Sequence, residues 1–95
     1  MKKINWDKCN GRFVSADHPL KSGKLPTPDD INIGNTVKAI YKCINCFLEI
    51  LEAIDGANFK ATVLRIESGN IPPEEMAVGD IVTINRQYVC SLFAD

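Results

Sequence analysis

From Thr36 onward apolar positions dominate the chain, and up to Ile54 their spacing fits two templates. Val37, Ile40, Tyr41, Ile44, Phe47 or Leu48, Leu51 and Ile54 recur at intervals of three and four, as on one face of a helix that Asn35 would cap and Gly56 would end. The same stretch also divides into extended runs, Val37 to Lys42 and Phe47 to Ile54, about a turn near Ile44-Asn45. Three features favour strands. Leu48 to Ile54 leads through Asp55-Gly56-Ala57-Asn58 into the β-rich run Phe59 to Ile66, and an Asp-Gly connection between two such runs is a hairpin signal because Gly accepts positive φ. Within that run Ala61, Val63 and Arg65 alternate with Thr62, Leu64 and Ile66, apolar on both faces, as in a covered sheet. Lastly, Pro28-Asp29-Asp30-Ile31-Asn32-Ile33-Gly34-Asn35-Thr36-Val37 is echoed 45 residues later by Pro73-Glu74-Glu75-Met76-Ala77-Val78-Gly79-Asp80-Ile81-Val82. The second copy runs on into Thr83-Ile84-Asn85, a strand by propensity, so the first copy should open a strand as well.

These runs predict a mainly β fold of about five strands, the last over Gln87 to Phe93, with at most one short helix near Pro73-Glu74-Glu75-Met76. A small SH3-like barrel is the first expectation and a strongly bent antiparallel sheet the second. Residues 1–30 read differently. Gly11, Pro19, Gly23, Pro26 and Pro28 interrupt a polar stretch, which predicts an irregular arm pinned to the core by Trp6, with one short strand in Arg12-Phe13-Val14-Ser15. Residues 31–95 form the β-rich core of one domain, as suits a chain of 95 residues.

Composition narrows the class. Apolar residues make up 45% and charged residues 24%, an ordinary globular balance. The formal charge of −1 hides a basic arm, where Lys2, Lys3, Lys8, Arg12, Lys21 and Lys24 face only Asp7 and Asp17, and an acidic remainder. That remainder has the wrong sign for phosphate neutralisation, so nucleic acid is disfavoured as partner. The polar start Met1-Lys2-Lys3-Ile4-Asn5-Trp6-Asp7-Lys8 lacks the apolar run of a secretory signal, and no stretch approaches the roughly 18–20 apolar residues of a membrane span. A cytoplasmic protein with reduced thiols and no membrane anchor is the expectation.

Phe47-Leu48-Glu49-Ile50, Asp55-Gly56 with Phe59-Lys60-Ala61-Thr62-Val63, Ile71-Pro72-Pro73 and Val78-Gly79-Asp80-Ile81-Val82-Thr83-Ile84 resemble the YegJ-like proteins, an uncharacterised bacterial domain family. The resemblance covers Val37 to Ile84, although Phe47 stands where the family has Trp and nothing before Pro28 matches. It implies a fold and no activity.

Candidate chemistry centres on Cys43-Ile44-Asn45-Cys46, whose two thiols could clasp zinc with Cys9, Cys90 or His18 completing a tetrahedron. Only one such pair is present, and structural thiols are the leading reading. His18 has no second histidine, and Ser15, Ser22, Ser68 and Ser91 lack a nucleophile-elbow context, so the expectation is no enzyme. The acid pairs Asp29-Asp30 and Glu74-Glu75 suit turns, and with Trp6 and Tyr88 they are the candidate binding residues, offering an acidic surface to a basic protein partner. Three functions therefore compete: a non-catalytic protein-binding module of inhibitor, immunity or adaptor type from a bacterium or phage, a zinc domain built on Cys9, Cys43, Cys46 and Cys90, and a nucleic-acid-binding barrel using the basic arm. No cofactor is expected apart from zinc in the second, and monomer and homodimer both remain open.

Overall fold

In the computed structural model the described residues are 2–9, 14–15, 31–67 and 71–93. They form one mixed sheet of seven strands: β1 (Lys2–Lys3), β2 (Val14–Ser15), β3 (Thr36–Tyr41), β4 (Ile44–Ala53), β5 (Asn58–Ile66), β6 (Ile81–Asn85) and β7 (Ser91–Phe93). The order across the sheet is β1-β6-β5-β4-β3-β7-β2. Five antiparallel strands, β3 to β7, make the body, while β1 pairs parallel with β6 and β2 parallel with β7. The stretch 36–54 is therefore two strands, and the helical reading is overturned. The sheet order is open, so the expected closed barrel gives way to the bent sheet. The expected helical turn near Pro73 is a turn in which Glu75 and Met76 N–H both donate to the Pro72 carbonyl, and the 3-10 turn lies instead at Arg86–Tyr88, shortening the last strand to Ser91–Phe93.

The helical spacing loses because strand alternation buries a complete face. Val37, Ala39, Cys46, Leu48, Ile50, Phe59, Ala61, Val63, Val82, Ile84 and Leu92 all point into one core, with Trp6, Ile31, Met76 and Val89 closing it. A helix over 36–54 would have matched the three-and-four spacing but left β5 and β6 without a covering partner.

The register is two-fold symmetric about the Glu49–Thr62 pair. Thr36 faces Glu49 as Ile81 faces Thr62, Val37 faces Leu48 as Val82 faces Ala61, and Ala39 faces Cys46 as Ile84 faces Phe59. Even the irregularities correspond: Leu51 is the extra residue between Ile50 and Glu52 on β4, and Leu64 the extra residue between Val63 and Arg65 on β5. Each inserted residue bends its strand and raises the local twist, so the paired bulges curve the sheet at two matched points.

The sequence echo is one half of this symmetry. Gly34 and Gly79 both have positive φ, 90° and 94°, at the third position of turns closed by Asn35 N–H on the Asn32 carbonyl and Asp80 N–H on the Ala77 carbonyl. A side chain locks each turn: Asn35 Oδ1 accepts from Asn32 N at 2.7 Å and Asp80 Oδ2 from Ala77 N at 2.8 Å. Gly34 N–H then donates to Ile50 and Gly79 N–H to Val63, both at 2.8 Å. Positive φ is what type II turns require at this position, which explains the shared glycine. The Asp55-Gly56 hairpin works otherwise. Gly56 does not have positive φ, and the Asp55 carboxylate holds the reversal by accepting from Ala57 N and Asn58 N.

Gly34→Ala and Gly79→Ala each force a Cβ into left-handed backbone, although open space surrounds both positions. Each is expected to cost roughly 1–2 kcal/mol, with the two losses similar, as measured by urea unfolding.

Candidate functional site

Residues 2–9 form a strap across the open side of the sheet. After β1 pairs with β6, the Trp6 indole N–H donates to the Thr83 carbonyl at 2.8 Å, Asp7 N–H donates to the Ile40 carbonyl at 2.8 Å, and Cys9 forms a disulfide with Cys90. The strap thus leaves β6, touches β3 and ends beside β7. Trp6 is only 7% exposed and pins the strap to the core.

The four cysteines do not converge. Cys9 and Cys90 are bonded to each other, Cys43 is exposed on the β3–β4 turn and Cys46 is fully buried in β4. Among the described residues no group of three or more Cys, His, Asp or Glu side chains is placed to hold a metal, so the tetrahedral cysteine expectation has no geometric counterpart there. Nor are all four thiols free, as the reduced reading required. Burial pushes the Cys46 thiol up to about 11, which keeps it protonated and inert.

The β3–β4 turn falls at Lys42-Cys43, earlier than the expected Ile44-Asn45. Both residues have positive φ, 50° and 66°, the geometry that matches a two-residue hairpin to strand twist, but neither is glycine or asparagine. Asp7 Oδ2 accepts from Cys43 N at 2.9 Å and holds this turn from the strap. Lys42 and Tyr41 both donate to Glu75 Oε1 at 2.6 Å, while the Tyr41 ring meets Trp6 edge to face at 6.2 Å. The Lys42 and Tyr41 donors hold the Glu75 carboxyl below its ordinary value, and the same carboxylate raises Tyr41 and Lys42 above theirs. This cluster fastens the 72–76 turn to the hairpin.

The other expected binding residues separate. Asp29, Asp30 and His18 lie outside the described residues. Glu74 is exposed, Glu75 is occupied as above, and Tyr88 is half-buried beside the strap. Glu67, another of the acids, accepts from Asn45 and faces Arg65 at 3.4 Å. Asp80 and Glu52 likewise face Lys2 and Lys60. Among the described residues Glu52, Glu67, Glu75 and Asp80 are thus faced by cations of the same chain, and Lys2 of the basic arm is matched in turn. None of the described helical segments is long and apolar enough to cross a membrane.

What the sequence did not reveal is an apolar groove of about 360 Å³ at the end of the sheet where β4 leaves and β5 begins. Its lining is Ile31, Ile33, Ile50, Ala53 and Phe59 with Asn32, and Ile33 and Ile54 are 69% and 47% exposed at that end. The two-fold register relates this end to the one at Ile66. The position related to Ala53 is Ile66, which is packed on the core with Ile71. A methyl group at one end stands where a sec-butyl group fills the other. The turn carries an exposed apolar residue at both ends, Ile33 here and Val78 at the related position, 69% and 63% exposed, so the turn sequence offers no signal that distinguishes the groove. On the outer sheet face a smaller patch joins Phe47 and Phe93, with ring centroids 5.7 Å apart and Arg65 stacked 4.4 Å over Phe47.

No family model, no curated protein and no solved structure matches the chain.

Cys43→Gly relieves one strained residue and is expected to raise stability by about 1 kcal/mol in urea unfolding. Glu75 sets a pH dependence of known sign. Its folded pKa lies below the ordinary 4.5, so its contribution is present above that value and is lost as pH falls through the folded value. Glu75→Gln is expected to flatten the stability profile between pH 7 and 3 relative to the native chain.

Proposed function

We propose that the chain is a non-catalytic module that seats an apolar side chain of a protein partner in the groove between Ile33, Ala53 and Phe59. The observation that carries this reading is the vacancy itself: a sheet with two-fold register plugs one end with its own Ile66 and leaves the related end open, flanked by exposed Ile33 and Ile54. Concave apolar sites with a few polar neighbours are where ligands and partner anchors settle, and contiguous exposed apolar surface marks interaction sites. Asn32 at the groove edge supplies a polar neighbour.

A basic partner is less well supported than any partner with an apolar anchor, because Glu75, Glu67, Asp80 and Glu52 are faced by this chain's own cations. The strand connectivity adds weight to an SH3-like reading of the fold. In β7-β3-β4-β5-β6 a meander is followed by a 3-10 turn that returns the last strand to the first, the arrangement of that architecture in an opened form. The YegJ-like resemblance belongs to the same proposal and adds no activity to it. A cytoplasmic adaptor, inhibitor or immunity role fits a small binding module of this kind.

The test is a plug. Ala53→Ile copies Ile66 into the open end at a strand terminus that tolerates a β-branched residue. Affinity capture with the native chain, Ala53→Ile and Ile33→Ser as baits, read by quantitative mass spectrometry, is expected to show a protein enriched at least tenfold by the native bait and lost from both variants, with thermal stability retained. Equal capture by all three baits would reject the groove. Enrichment of nucleic acid instead of protein, falling with salt, would move the reading to the arm.

A further inference from the structure

We infer that the Cys9–Cys90 disulfide is a redox clasp that decides whether the second half of the strap, Asp7 to Cys9, stays on the sheet. The two cysteines are held very differently. Cys90 is 5% exposed, its backbone N–H donates to the Lys38 carbonyl at 2.7 Å, and it runs directly into β7, which pairs with β3. Cys9 lies two residues beyond Asp7, whose N–H donates to the Ile40 carbonyl. Cys9 as a residue is half-buried where Cys90 is buried. Opening the bond therefore leaves β7 in its register and releases the strap at Cys9, between Trp6 on one side and β2, paired with β7, on the other.

The reductant is a dithiol. One thiolate of the dithiol attacks Cys9 Sγ, the Cys9–Cys90 bond breaks, and Cys90 leaves as a thiolate that takes up a proton. The second thiolate of the dithiol then attacks its own sulfur in the mixed disulfide and releases Cys9, which also takes up a proton. Two electrons pass to the cysteines, and the dithiol leaves as its disulfide.

Two contacts go with the freed segment. Asp7 N–H leaves the edge of β3 at Ile40, and the Asp7 carboxylate leaves Cys43 N–H at the turn whose two central residues both have positive φ. Trp6 and β1 form the inner stop, because Trp6 is buried, bonded to Thr83 and stacked edge to face on Tyr41. Reduction thus frees the Ile40 carbonyl, on β3 beyond its pairing with β7, and loosens the Lys42-Cys43 turn while the core stays folded. An unpaired strand edge is a template for another strand, so the clasp controls access to one. The groove beside Ala53 lies at the opposite end of β4 from this turn and takes no part.

The test uses the intact chain, oxidised and then treated with dithiothreitol, with thiols counted under denaturing conditions and amide exchange followed by NMR. Two free thiols before reduction and four after are expected. The Asp7 and Cys43 amides should then exchange at least tenfold faster in the reduced protein, while those of Ile50 and Val63 do not change. Cys9→Ser without reductant should reproduce the same local pattern. Four thiols before reduction would overturn the clasp, and so would unchanged exchange at Asp7 and Cys43. Loss of protection at Ile50 and Val63 as well would also overturn it, by making the bond a staple of the whole fold.

Discussion

The structure depends on the curvature imposed where β4 meets β5. A small sheet has too few strands to stack a second layer, so it must bend until its own inner face is covered. Leu51 and Leu64 supply that bend by adding one residue each on opposite strands of the same pair. Between them the alternation of Leu48, Ile50, Ala61 and Val63 puts a buried residue at every second position. Ile31 and Met76 both belong to the core that this curved pair closes. Everything else follows from this curvature: the side left open for the strap, the turns at Gly34 and Gly79 that lead into the flanking strands, and the unequal filling of the two ends.

Much of the fold was legible because strand alternation and turn chemistry are local. The repeated Gly-Asn and Gly-Asp signals marked the starts of β3 and β6, and the five strands of the body are those read from the sequence, with boundaries shifted by a few residues. The helix-like spacing over Val37 to Ile54 was a coincidence of two periods, resolved by the partner strands and not by the segment itself. The β3–β4 turn was misplaced because Lys42 and Cys43 are poor residues for positive φ, and a turn held from outside by Asp7 leaves no local signature. Gly56 misled in the opposite direction, offering a conformational freedom that an aspartate made unnecessary.

The candidate site was much less legible. Charge counted along the chain suggested an acidic surface, but ion pairs between residues far apart in sequence, such as Lys42 with Glu75, occupy several of its acids. The cysteine spacing drew the eye to Cys43 and Cys46, whereas the bonded pair is 81 residues apart and depends on the strap's route over the sheet. The groove is a property of a missing volume at Ala53, and a missing volume is visible only beside the related position that is filled. Sequence reports which groups are present; it takes the packed sheet to show what is absent.

The strap also fixes an order of events in time. The hairpins of the meander close loops of a few residues, from Tyr41 to Ile44 and from Ala53 to Asn58, and neighbouring strands reward them at once. The strap has to bring Lys2 to Val82 and Cys9 to Cys90, separations near the full length of the chain, before it gains anything. Closure entropy of that size is recovered only once β6 and β7 already stand in place to receive it. Folding therefore runs from the centre of this 95-residue segment outward, and during synthesis residues 2–9 are made well before the strands that receive them.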